Sequence, residues 1–109
     1  GVHQFVRVGA HAMTGFQTRL AQDLPPYVTA AGNPAEATGI NAEGLRRRGF
    51  TAERIAQVKR MHRALYRQGL TLAAALTEIE AMKAQAPESA DDIDLLLGFV
   101  RQAERGIVR

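Results

Sequence analysis

Along the first two dozen residues the apolar positions recur in sixes. The segments VHQFVR, VGAHAM, TGFQTR and LAQDLP place Val2, Val8, Thr14 and Leu20 first and Val6, Ala12, Thr18 and Leu24 four places later. Gly or Ala stands second in three of the four hexads. A helix would need apolar spacings of three and four, which this stretch lacks. A repeat of six is the pattern of a parallel β-helix, in which short strands meet at corners and fixed inward positions stack coil upon coil. With three hexads to a coil, the segment holds about one and a third coils, too little to bury its own face. The repeat therefore predicts further coils ahead of Gly1. The opening Gly-Val-His, with no initiator Met, points the same way.

The repeat is expected to stop within DLPPYVTAAGNPA, Asp23 to Ala35. Pro25 and Pro26 have no N–H to donate to a ladder, and Gly32–Asn33–Pro34 is turn chemistry. From Thr51 onward the period becomes helical. Thr51 is placed to cap a first helix, with Phe50 and Ile55 as a hydrophobic staple across the cap. Ile55, Val58, Met61 or His62, Leu65 and Tyr66 form its apolar face, which ends near Gly69. Thr71 caps a second helix carrying Leu72, Leu76, Ile79 and Met82, which stops before Pro87. Ser89 and Asp92 have the spacing of a capping box for a third, through Ile93, Leu96, Val100 and Ala103. Three short antiparallel helices with one shared core are the expectation.

The 109 residues suit one ordinary domain or two small pieces sharing a surface, and 46% hydrophobic with 23% charged residues fits a folded chain and argues against disorder. Cysteine is absent, which removes disulfides and thiolate metal sites and is compatible with a cytoplasmic protein. No apolar run reaches the ~20 residues of a membrane span. The net charge of +3 conceals a segregation. Residues 46–67 carry eight basic side chains against Glu53 alone, and residues 68–100 carry six acids against Lys83 alone. Either the basic face steers an acidic partner, or the two faces neutralise one another in the fold.

The densest basic run is NAEGLRRRGF, Asn41 to Phe50. Guanidinium forks match phosphate oxygens, and Asn41 and Glu43 add an amide and a carboxylate suited to a base edge or ribose hydroxyls. Two readings stand: a site for a nucleotide or phosphorylated carrier, or solvated arginines closing a helix. Nucleic acid is disfavoured, because aromatics are 6% and none interleaves with the basic run. His3 lies near a corner beside Gln4, His11 is expected in a strand and His62 on the first long helix. Each suits a structural role better than a catalytic one, since no carboxylate partner is evident. Metal-ligand spacing, a Gly-rich phosphate loop and a nucleophile elbow are all missing.

GVHQFVRVGAHAM, QDLPPYVTAAGNPA, GINAEGLRRRGF and LYRQGLTLAAAL, in that order, resemble the C-terminal portion of the UDP-N-acetylglucosamine O-acyltransferases. The resemblance covers essentially the whole chain, and VHQF followed by NxEGLxRRGF is its specific part. It implies the last one to two coils of a left-handed parallel β-helix over residues 1–30. A connecting segment with the nucleotide-contacting motif follows over 31–50, then a three-helix domain over 51–109. It further implies a cytoplasmic homotrimer that moves an (R)-3-hydroxyacyl group from acyl carrier protein to the 3-hydroxyl of UDP-GlcNAc in lipid A biosynthesis, without a cofactor or metal.

On the same grounds His3 and Gln4 would line the substrate cleft, and Asn41, Glu43, Arg47 and Arg48 would contact the UDP or the carrier's phosphate. Arg46 has no such role. Phe16 occupies a place on the floor of the acyl groove and implies a shorter acyl donor, unless it packs in a subunit interface. The family's general base is a histidine in an earlier coil, so no catalytic residue is expected within this chain, and these residues alone are expected to transfer no acyl group. The acidic carrier would explain a stripe of Arg60, Arg63 and Arg67. The alternative is a non-catalytic trimeric binding or assembly module that docks an acidic partner.

Overall fold

The computed structural model describes residues 6–15, 18, 20–103 and 106–109; His3, Gln4 and Phe16 lie outside them. The described elements are β1 (Met13–Thr14), β2 (Val28–Ala31), β3 (Glu36–Ile40), α1 (Ala42–Arg47), α2 (Ala52–Tyr66), α3 (Leu72–Gln85) and α4 (Ala90–Arg101). A single 3₁₀ turn, Pro87–Ser89, joins α3 to α4.

Stacked coils are visible as parallel pairings of Val8 with Leu24, Met13 with Thr29 and Thr14 with Ala30. Each step is 16 residues, two short of three full hexads. The hexad phase therefore slips between coils, so that first-position Val8 lies over fifth-position Leu24. The shortfall is already present between Val8 and Leu24, so it lies ahead of the corner at Pro25 and Pro26. Both proline rings are buried there, and Tyr27 N–H bonds back to the Ala10 carbonyl at 3.0 Å. The fifth positions turn inward as expected, with Thr18 and Leu24 buried and Val6 and Ala12 packed around Leu20, Val28, Ala30 and Val108. The first positions do not all follow. Leu20 is buried, but Val8 is 46% exposed and Thr14 is exposed.

The prolines do not end the β-structure. β2 resumes directly after them, parallel to β1, and the chain then reverses through Gly32 into antiparallel β3. The C-terminal tail adds a further parallel bridge, Ile107 with Asp23. Its Ile107 and Val108 are buried, and Tyr66 Oη donates to the Val108 carbonyl at 2.7 Å. No apolar period in the sequence announces this tail, yet it ties α2 to the last coil.

The helices form for the reasons their sequences give. The hydroxyls of Thr51 and Thr71 accept from Arg54 N–H at 3.2 Å and Ala74 N–H at 3.1 Å, the caps expected of them. Ile55, Val58, Met61 and Leu65 of α2 meet Ala75 and Ile79 of α3 and Ile93, Leu96, Leu97 and Val100 of α4 in one core. Tyr27 and Leu45 extend that core toward the β-coil. The capping box at Ser89 is not formed. Ser89 is buried at the end of the 3₁₀ turn without a capping hydrogen bond, and Asp92 turns across to Arg54 and Tyr27. A buried carboxylate gains more from a guanidinium and a phenol than from an amide at its own helix end.

Candidate functional site

The junction between β3 and α2 is short, and α1 fills it. Asn41 caps this helix: its Oδ1 accepts from Gly44 N–H at 3.2 Å, while its Nδ2 donates to the His11 carbonyl at 3.1 Å. Its own N–H bonds to the Tyr27 carbonyl at 2.8 Å, and the residue is buried. Residue 44 must be glycine, because a Cβ there would stand 2.8 Å from Asn41 Cγ. At the far end Gly49, at φ +87°, lets the chain turn, and Phe50 N–H returns to the Leu45 carbonyl at 3.0 Å. This fixed turn of helix carries the arginines, and its carbonyl end favours cations there.

Asn41, Glu43, Gly44, Arg47 and Arg48 line one groove of about 450 Å³, with Ala12 and Met13 forming the opposite wall. Four of the seven residues singled out from the sequence thus meet at one place; the other three, His3, Gln4 and Phe16, lie outside the described residues. The arginines are held differently. Arg47 Nε lies 3.3 Å from Glu43 Oε1, an exposed i,i+4 pair that orients both groups and contributes little stability. Arg46 stays outside the groove lining, with its nearest Glu43 oxygen at 3.9 Å. Arg48 Nη1 is 3.3 Å from His11 Nδ1.

His11 is not in a strand. It occupies a turn at φ +61°, a region His and Asn tolerate better than most residues, and its carbonyl is the one Asn41 holds. Its ring stacks on Tyr27 at 5.6 Å between centroids and meets the edge of Phe50 at 5.1 Å. Burial foremost, and then the positive charge of Arg48, lowers its pKa below the ordinary 6.5. Behind Phe50 stands Arg54, whose guanidinium carbon lies 3.6 Å from the ring centroid. Nothing in the residue pattern singles out His11 beyond its being a lone histidine. Its role depends on a stacking geometry that only the fold creates.

A second groove, of about 600 Å³, runs between β3 and α2 and is lined by Gly39, Ile40, Lys59, His62, Arg63 and Arg67. The expected stripe of Arg60, Arg63 and Arg67 is divided. Arg60 turns to the α3 side and donates twice to the buried Gln57 Oε1, at 2.7 and 3.0 Å. Lys59 takes its place beside Arg63 and Arg67. Among the described residues none of these four cations pairs with a carboxylate. Only Arg54 of the basic segment reaches the acidic one, at Asp92. The two charged stretches therefore do not cancel, and α2 keeps a positive face.

A closing β-helix coil that passes through an arginine-walled turn into three helices is the build of the C-terminal part of a hexapeptide-repeat acyltransferase. Residues 23–108 match the family described as Udp N-acetylglucosamine O-acyltransferase, Domain 2, and the chain belongs to that family. Over its whole length it is 55% identical to the acyl-[acyl-carrier-protein]--UDP-N-acetylglucosamine O-acyltransferase of Paracidovorax citrulli and 54% identical to that of Verminephrobacter eiseniae. It spans 42% of the length of each. Among solved structures, the UDP-N-acetylglucosamine O-acyltransferase of Moraxella catarrhalis superposes with a TM-score of 0.90 at 36% identity, over all of this chain and 41% of that one. The enzyme of Bacteroides fragilis gives 0.88 at 42%, over 99% of this chain and 41% of its own. The fold is that of the end of a left-handed parallel β-helix with its helical domain.

Proposed function

We propose that this chain supplies the nucleotide-binding and carrier-docking part of an acyltransferase that moves an (R)-3-hydroxyacyl group from acyl carrier protein to the 3-hydroxyl of UDP-GlcNAc, in lipid A biosynthesis. The observation that carries the reading is the groove beside α1, where Arg47 and Arg48 project from one rigid turn of helix at the positions of the family motif. Their forks bind the diphosphate, and Glu43 accepts from a hydroxyl or base N–H of the nucleotide. Asn41 acts chiefly by holding α1 in place, since its amide is already engaged on both sides.

In the reaction the sugar hydroxyl attacks the thioester carbonyl. A C–O bond forms, the C–S bond breaks, and the carrier leaves as its thiol. A histidine in a preceding coil takes the hydroxyl proton, His3 and Gln4 line the cleft, and Phe16 shortens the acyl groove. The acidic carrier docks on Lys59, Arg63 and Arg67. Three copies assemble in the cytoplasm with sites between them, which would cover the exposed Val8 and Met13 of the β-coil.

The test is UDP binding by calorimetry to the full-length protein and its Arg47→Ala and Arg48→Ala variants. Each variant is expected to bind about tenfold or more weakly. Binding that neither substitution weakens would remove the nucleotide from this groove and favour a non-catalytic module that docks an acidic partner through the second one.

A further inference from the structure

His11 has no part in the reaction just described, yet it is among the most closely held side chains beside the groove. Asn41 fixes its carbonyl, Tyr27 fixes the plane of its ring, and Phe50 closes the edge. What is left free to act is Nδ1, which faces Arg48 Nη1 at 3.3 Å. A guanidinium nitrogen only donates, so Nδ1 is the acceptor and the imidazole is neutral, with its proton on Nε2. The Arg48 side chain has no other hydrogen-bond or ion-pair partner among the described residues. Its remaining N–H groups stay unengaged at the groove that it lines.

We propose that His11 is a positioning residue: its neutral Nδ1 holds the Arg48 guanidinium at the groove wall so that the other N–H groups of the fork meet a phosphate oxygen of the nucleotide. The inference rests on the reading that Arg48 contacts that phosphate. A long, exposed arginine otherwise loses rotamer freedom when it binds, and a preset guanidinium avoids that loss. The choice of acceptor matters as well. Glu43 orients Arg47 but offsets its charge and repels an anion, whereas imidazole supplies a lone pair without a negative charge.

The surroundings keep the ring in its accepting form. Burial between Tyr27 and Phe50 disfavours the imidazolium most, with Arg48 from the end of α1 and Arg54 from α2 acting in the same direction. Asp92 on α4 opposes them, but Arg54 and Tyr27 already engage its two oxygens.

The experiment is UDP titration of the full-length protein carrying His11→Asn, His11→Phe, Arg48→Ala, and His11→Phe combined with Arg48→Ala. Asparagine tolerates φ +61° and places Oδ1 near the position of Nδ1; phenylalanine keeps the ring contacts without an acceptor. His11→Asn is expected within about threefold of wild type, and His11→Phe about tenfold weaker. The double variant is expected to be no weaker than Arg48→Ala alone, as residues acting through one another require. If Arg48→Ala weakens binding while His11→Phe does not, or the two losses add, positioning is overturned and the nucleotide site stands. If Arg48→Ala binds UDP like wild type, the nucleotide reading falls and takes this inference with it. Should His11→Phe fail to fold, His11→Gly replaces it, being relaxed at this φ and lacking an acceptor; equal affinity for the Gly and Asn variants overturns positioning.

Discussion

Arg54 grips Asp92 with two donors, Nε to Oδ2 at 3.1 Å and Nη2 to Oδ1 at 3.0 Å, while its guanidinium carbon lies over the Phe50 ring. Tyr27 Oη completes the arrangement, donating to Asp92 Oδ1 at 2.8 Å. One carboxylate thus joins the last β-coil, α2 and α4. Its side chain is 8% exposed against 44% for Arg54, so losing Asp92 strands a buried phenol more than it strands the guanidinium.

Asp92→Ala is therefore expected to lower stability by about 2–3 kcal/mol, measured by denaturant unfolding. Burial is the largest single influence on this carboxyl and raises its pKa, but the hydrogen bonds from Arg54 and Tyr27 and the nearby positive charge together outweigh it, and the net shift is downward from 3.8. A carboxyl depressed in the folded state stabilises fully above its ordinary pKa, and that contribution is lost as pH falls through the lower folded value. Melting temperatures taken across the range below pH 3.8 should fall less steeply for Asp92→Asn than for wild type. Parallel curves would mean that Asp92 is not the linked group.

Asn41 yields a test that separates a fold role from a ligand role. Asn41→Ala removes the cap of α1 and the tie to the His11 carbonyl, and should cost about 1–2 kcal/mol. Asn41→Ser keeps an oxygen for Gly44 N–H and should restore about half of that. If Asn41→Ala unfolds at the same denaturant concentration as wild type, the amide is not needed for the fold and is free for a nucleotide.

Much of this architecture was legible because it is local. Thr51 and Thr71 cap where the change of period places them, and the apolar face of α2 follows directly from its spacing. The coil step of 16 was not legible, because the coil is already two residues short between Val8 and Leu24, ahead of the prolines, although its hexads read as complete. Ser89 and Asp92 carried the spacing of a capping box, but Arg54, 38 residues away in sequence, competes for the carboxylate and wins. The motif Asn41–Phe50 was readable as a cluster of chemical types. That one of its arginines leans on His11, 37 residues distant, was not.

The divided basic stripe makes a sharper prediction than a count of charges does. Lys59, Arg63 and Arg67 share one groove, and Arg60 is tied to Gln57 on the other side of α2. Glutamate substituted singly at Lys59, Arg63 or Arg67 is expected to weaken acyl carrier protein binding about tenfold at low salt, and less at high salt as screening sets in. Arg60→Glu should change carrier affinity by less than about twofold. Surface plasmon resonance at two ionic strengths checks both. An Arg60→Glu loss as large as that of Arg63→Glu would move the docking face toward α3.

His62 also lines that groove, its ring centroid 4.9 Å from that of Tyr66 and its Nε2 buried without a hydrogen-bond partner. Burial first and Arg67 second lower its pKa below 6.5. A histidine depressed in the folded state binds its proton more readily when unfolded, so stability is complete above pH 6.5 and falls as pH drops toward the folded value. His11, lowered likewise, adds to the same slope. His62→Phe keeps a ring against Tyr66 and removes both the proton linkage and the unpaired nitrogen. It should be at least as stable as wild type at pH 7, by up to about 1 kcal/mol of unfolding free energy, and the gap should widen as pH falls below 6.5. A gap that closes on acidification would show that His62 finds a partner for its proton in the fold.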